Sequence, residues 1–397
     1  MNQIPTNRPP SPRPPRPKYQ GRPIRLPKKC APPKALVIAT TLTAILLVVS
    51  IMVLSIALLV GPTNNFDNDS GGKKKDKEQQ NEPLEEDNGI FTTFELPCAT
   101  PKKNYMSTGM GAAISGINSE YAVLVSLTSN TALASKSADE VIHPASMTKV
   151  MTLLVACENA KASNALLTVK QEMLDRRKAL GGSGELVENT SAIDPNGDVK
   201  KIPILGKSIT VEDALYLINY QSDTVSCLMI AEYVAGSEAE FVKLMNKKAQ
   251  DLGLTNTNFV NCTGLTEKDG RYNKTTCREM AAIMACAMNN AVAKEVITST
   301  ERYYVTIYEK GEETPYYLSF YPAWHGSEWM GGQTTAGKVD VLGGKTGFED
   351  VPGFCLVTYG KHRSTGEEYV CVTVGARGEG KGRTAAADAR TLYKNYT

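Results

Sequence analysis

His143-Pro144-Ala145-Ser146-Met147-Thr148-Lys149-Val150-Met151 carries the densest chemical signal in this 397-residue chain. Pro144 and Ser146 suit a helix start, and Val150, Met151, Leu153, Leu154 and Val155 are apolar at the positions that bury the helix that follows. Ser146 and Lys149 are three apart and share a helix face, about one turn from each other. A serine hydroxyl is a poor nucleophile until a base takes its proton. A lysine amine becomes that base when burial and nearby positive charge keep it neutral. The helix N-terminus adds positive potential where an oxyanion forms. Alone, Ser-x-x-Lys arises by chance in most chains of this length and reads as a surface pair. His143 is too close in sequence to Ser146 to serve as a triad base and reads as structural.

Outward from this stretch, strands flank a helical middle. Ala122–Leu127 is a β-rich run, followed by a turn at Ser129-Asn130 and a second run, Thr131–Ser135. Thr210-Val211-Glu212-Asp213 has the form of a capping box with Thr210 as N-cap. Phe241, Val242, Leu244 and Met245 are spaced as in a helix. Gly353–Tyr359 and Tyr369–Val374 are strand candidates around a charged turn, and the Ala-rich Thr384–Tyr393 closes the chain as a helix. The economical fold is α/β of the α+β type, with first and last strands adjacent in one antiparallel sheet and helices on its faces.

Further out, residues 35–60 contain no charged side chain and are long enough to cross a hydrocarbon core of about 30 Å as a helix. Residues 1–34 carry nine Lys or Arg, no acid and eleven prolines, so the expected topology keeps them in the cytoplasm and exports the rest. Such a segment is extended, and Arg8-Pro9-Pro10-Ser11-Pro12 offers a motif to a cytoplasmic proline-recognising partner. Residues 61–100 read as an extracytoplasmic linker, and 101–397 as the globular domain. Ser55-Ile56-Ala57 supplies the competing signal-peptide reading, against which the apolar run is too long.

Beyond residue 34 the chain has 35 basic and 42 acidic residues, a net of −7, which excludes wholesale nucleic-acid binding. Three histidines and nine cysteines without a Cys-x-x-Cys pair leave little material for a metal site.

Two further motifs change the weight of Ser146 and Lys149. Leu342-Gly343-Gly344-Lys345-Thr346-Gly347-Phe348 precedes the strand at Gly353. On an edge strand it offers a cation, a hydroxyl and a glycine where substrate lies close. Between the two motifs lies Tyr220-Gln221-Ser222-Asp223-Thr224-Val225. This ordered trio resembles Ser-x-x-Lys, Ser-x-Asn and Lys-Thr-Gly of the penicillin-binding proteins. With Ile202–Tyr216, Ala231–Ser237 and Leu252–Leu265, the chain from about residue 105 is similar to the low-molecular-mass D-alanyl-D-alanine carboxypeptidases, the serine peptidases that trim peptidoglycan.

The resemblance implies a β-lactamase/transpeptidase-like fold with an all-helical subdomain. It implies Ser146 as acylated nucleophile, Lys149 as its proton acceptor and Ser222 as proton donor to the departing D-alanine. Lys345 and Thr346 would hold the substrate carboxylate, and the N–H groups of Ser146 and Phe348 would form the oxyanion hole beside Gly347. The substrate is then a stem peptide ending in D-Ala-D-Ala, β-lactams are covalent inhibitors, and no cofactor is needed. In the family pattern an asparagine stands where this chain has Thr224. Its hydroxyl satisfies Lys149 or the substrate amide but not both, so slower catalysis is expected. Cys262-Thr263 and Arg271–Thr275 depart from the family pattern as a loop change, and the N-terminal helix replaces the family's C-terminal anchor. A β-lactamase, or an envelope interaction protein with a decayed site, are the alternatives. The former lacks a recognisable Glu-x-x-Leu-Asn after Ser222. The insert at about 301–338, with Trp324, His325 and Trp329, reads as variable surface or a substrate-side hairpin.

Overall fold

The computed structural model describes residues 109–323, 334–377 and 382–397, all within one compact unit. Residues 35–60, the expected membrane segment, lie outside the described residues, as do the basic tail, the linker, Trp324, His325 and Trp329. Among the described residues no single helix is long and apolar enough to cross a membrane.

The larger sheet has seven strands: β1 (Ala112–Ala113), β2 (Tyr121–Ser126), β3 (Thr131–Lys136), β10 (Thr335–Ala336), β11 (Val339–Glu349), β12 (Gly353–His362) and β13 (Glu368–Ala376). Their spatial order is β1-β3-β2-β13-β12-β11-β10, and only the β1–β3 pair is parallel. β2 pairs with β13 along Tyr121–Ser126, so early and late strands are neighbours, as the hydrophobic runs indicate. Alternate residues feed two cores. Val123, Val125, Val370 and Val372 face the helical layer, while Ala122, Leu124, Leu356 and Cys371 face α8 (Gly382–Tyr396). Both faces are covered, which is why these strands read as nearly continuous apolar runs.

The helical layer is organised around α1 (Lys149–Asn159), entered through a 3₁₀ turn at Ala145–Thr148. Every α1 residue from Lys149 to Cys157 is buried, so neighbours cover this helix on each side. The neighbours are α3 (Val211–Tyr220), α4 (Thr224–Ala235), α5 (Glu238–Asp251), α6 (Cys277–Asn289) and α7 (Ala291–Thr298). α2 (Gln171–Ala179) packs on α4. The capping box of α3 is present: Thr210 Oγ1 accepts from Asp213 N at 3.0 Å, and Asp213 Oδ2 accepts from Thr210 N at 3.3 Å. An N-cap of this kind is worth about 1 kcal/mol.

The second layer is not all-helical. It carries a six-stranded antiparallel sheet of β4 (Leu166–Thr168), β5 (Asn189–Ile193), β6 (Val199–Pro203), β7 (Lys207–Thr210), β8 (Tyr303–Glu309) and β9 (Glu312–Phe320), in the order β4-β7-β8-β9-β5-β6. Four of these strands have five residues or fewer, and several carry exposed polar residues, so their alternation is weak. Within the insert at 301–338, residues 303–320 form the β8–β9 hairpin. Tyr303 anchors it by stacking on Tyr216 at 3.8 Å and donating its hydroxyl to Asp213 Oδ1 at 3.1 Å.

Candidate active site

The 3₁₀ turn stands against β11, and glycine makes the approach feasible. A Cβ at Gly347 would stand 3.2 Å from Ser146 N and Ala145 Cβ. On the other side of the turn, Gly264 has φ of +85°, and a Cβ there would reach within 2.0 Å of the Ala145 carbonyl oxygen. Ala145 itself has φ of 47°, a conformation that costs a non-glycine residue about 1–3 kcal/mol. Its N–H donates to His143 Nδ1 at 2.9 Å, which helps hold the strained turn.

This packing sets the Ser146 hydroxyl beside the amine of Lys149. Lys149 Nζ donates to Ser146 Oγ at 3.0 Å and to the Thr263 carbonyl at 2.6 Å. Lys149 is fully buried, and burial pushes its pKa down, against the attraction of Cys227, Cys262, Asp223 and Glu349. Lys345 is buried as well, with Nζ donating to the Thr346 carbonyl at 3.1 Å. Burial and the charge of Lys149 hold Lys345 well below the usual lysine range. Repulsion in this shared pocket falls on whichever amine is protonated second, so the pair does not readily carry two protons.

Lys345, Thr346 and Gly347 pair with Val357, Leu356 and Cys355 of β12, while β10 covers β11 only at Val339 and Asp340. The Lys-Thr-Gly run therefore lies on an open strand edge. Facing it across a cleft of about 400 Å³ are Ser222, Leu180, Gly181, Ser183 and Leu265, with Ser146 and Thr346 also in the lining. Ser222 has φ of 54°, and its hydroxyl has no hydrogen-bond partner among the described residues. Asp223 caps α4 and pins the loop opposite, accepting from Ser226 N (2.7 Å), Glu185 N (2.7 Å) and Leu186 N (2.9 Å).

Thr224 does not line the cleft. It is fully buried with its side chain against Gly182, and Oγ1 bonds neither Lys149 nor any other described residue. The Thr224 hydroxyl thus does not satisfy Lys149 in this structure: as the first residue of α4, Thr224 is directed toward the 182–186 loop. His143 has the structural setting expected of it. It is stacked on Tyr272 at 4.9 Å, and burial pushes its pKa down to about 4. Three contributors were missed. The Thr263 carbonyl is a backbone group without a side-chain signature. Glu349 and Asp350 line the cleft directly after the Lys-Thr-Gly-Phe run, and period-2 geometry places Glu349 on the Gly347 face of β11. Among the described residues no group of three or more His, Cys, Asp or Glu is placed to hold a metal ion.

The sequence pattern of the S11 peptidases, described as D-alanyl-D-alanine carboxypeptidase, matches residues 108–378. The chain belongs to this family. Among relatives, D-alanyl-D-alanine carboxypeptidase DacF of Bacillus subtilis is 30% identical over 247 residues, covering 60% of this chain and 53% of that protein. DacC of Escherichia coli is 32% identical over 180 residues, covering 45% and 42%. The chain thus spans about half the length of the curated relatives it matches. In fold, this S11 member is similar to the crystal structure of the Streptomyces K15 DD-transpeptidase, with a TM-score of 0.57 at 20% identity, over 70% of this chain and 98% of that one.

Proposed function

We propose that this protein is a serine-type D-alanyl-D-alanine carboxypeptidase that removes the terminal D-alanine of peptidoglycan stem peptides. The observation that carries the reading is Ser146 Oγ at 3.0 Å from the buried, pKa-depressed amine of Lys149, in a cleft bordered by the Lys-Thr-Gly strand. Neutral Lys149 takes the proton of Ser146 as Oγ attacks the penultimate D-alanine carbonyl. The N–H groups of Ser146 and Phe348 receive the oxyanion. Ser222 passes a proton to the departing D-alanine, whose carboxylate is held by Lys345 and Thr346. Water then hydrolyses the acyl-enzyme, and β-lactams acylate the same serine. Residues 35–60 anchor the domain on the outer side of a bacterial cell membrane, with the proline-rich tail in the cytoplasm and open to a proline-recognising partner.

Fluorescent penicillin is expected to label the full-length chain, and Ser146→Ala to lose the label. The same chain is expected to release D-alanine from a pentapeptide stem. Undiminished labelling of Ser146→Ala, or labelling without D-alanine release, overturns the reading.

A further inference from the structure

Acylation leaves Ser146 esterified, and the attacking water then needs a proton acceptor on the open side of the ester. β11 supplies a carboxylate there. Gly347 abuts the Ser146 backbone, and Glu349 follows two residues on along the same strand face, about 6.8 Å further. A carboxylate on that strand face can reach an acyl group on Ser146 through one intervening water. Glu349 and Ser146 line the same cleft.

Thr266 lies close enough to the carboxylate for its backbone N–H and hydroxyl to pull the Glu349 pKa down. Thr266 Oγ1 lies 3.1 Å from His143 Nε2, while His143 Nδ1 accepts from Ala145 N–H at 2.9 Å. That second bond assigns the imidazole proton to Nε2, so His143 donates to the Thr266 hydroxyl. His143 thereby ties the segment beside Glu349 to the strained turn that carries Ser146.

We propose that Glu349 is the general base of deacylation. The proposal rests on the acyl-enzyme reading above. Glu349 takes one proton from the water as its oxygen bonds to the ester carbon and the carbonyl electron pair moves to the oxyanion. When the intermediate collapses, the carbonyl re-forms and the carbon–Oγ bond breaks. Ser146 Oγ receives the proton from Glu349, and the product acid ionises to solvent. Burial and the neighbouring Asp350 raise the pKa of Glu349, and Thr266 and Lys149 pull it down, which keeps a carboxylate of useful basicity at the cleft.

The test labels the full-length chain with fluorescent penicillin, removes free reagent and follows loss of the adduct. Glu349→Gln is expected to acquire label at close to the parent rate and to release it roughly 100-fold more slowly. Hydroxylamine, a stronger nucleophile that needs less base assistance, is expected to free the adduct at similar rates from both forms. Asp350→Asn, which removes a neighbouring charge but keeps the Glu349 carboxylate, is expected to change release far less than Glu349→Gln does. Equal release by Glu349→Gln and the parent overturns the proposal, as does an equal slowing by Asp350→Asn. Failure of the parent to label at Ser146 overturns the acyl-enzyme reading beneath it.

Discussion

Along the sheet wall of the cleft, Lys345, Thr346 and Gly347 sit on a strand paired residue by residue with β12, and the amines behind them have hydrogen-bond acceptors. The opposite wall turns through Ser222 in a left-handed conformation, and neither the Ser222 hydroxyl nor that of Thr224 buried behind it has a partner among the described residues. Long-range strand pairing holds the first wall at little local cost. The second stores about 1–3 kcal/mol of backbone strain and is held by one carboxylate, Asp223. The sheet side holds its amines against acceptors, and the wall opposite presents the Ser222 hydroxyl without a partner among the described residues.

Removing the Lys149 amine tests the sheet side of the cleft hardest. Lys149→Met keeps an unbranched side chain in the buried slot and removes the amine. Penicillin labelling is expected to fall roughly 1,000-fold with the circular dichroism spectrum unchanged. Retention of fast labelling would transfer the proton-acceptor role to another group.

His143 sharpens the same side through pH. Its folded pKa is depressed to about 4, below the unfolded value of about 6.5. Between those values the unfolded chain binds more protons, so this contribution to stability is present above pH 6.5 and is lost as pH falls toward 4. The loss amounts to at most about 3 kcal/mol. Urea midpoints at pH 7 and pH 4.5 for the parent and His143→Gln isolate it, because the other acids titrate in both. An equal pH dependence in the two proteins would show that the imidazole is not held neutral.

The opposite wall predicts the smallest effect. Thr224→Val exchanges a buried hydroxyl for a methyl of similar volume. The thermal midpoint is expected to rise, corresponding to about 1 kcal/mol, with penicillin labelling within about twofold of the parent. A tenfold drop in labelling would mean that the hydroxyl reaches the substrate after all.

Much of the larger sheet was legible because burial on both faces leaves an unmistakable apolar run, as in Val123–Val125 and Val370–Val372. The α3 start was legible because a capping box is local chemistry. The six-stranded sheet was not: Val199–Pro203 has one buried residue among five, and no period announces it. Ser146, Lys149 and Lys345 could be picked out as motif members, but neither the depth of Lys345 nor the turning away of Thr224 is written in spacing. Both depend on packing between distant segments. Asn261 and Asn273, which look like glycosylation acceptors, are fully buried and hold the 258–265 loop through their side-chain amides.

The pairing of β2 with β13 also orders events in time. Ser119 meets Asp388 across 269 residues of chain, and β11 reaches β2 only through β12 and β13. Helices around α1 can collapse from local contacts as they are made, but the wall bearing Lys345 has no complete sheet until β13 and α8 have joined. Closing so long a loop costs entropy before any contact repays it. The nascent chain is therefore expected to hold Ser146 and Lys149 near each other well before the opposite strand closes against them. Competence to react with penicillin should appear as one of the last steps of folding, later than most of the helical signal.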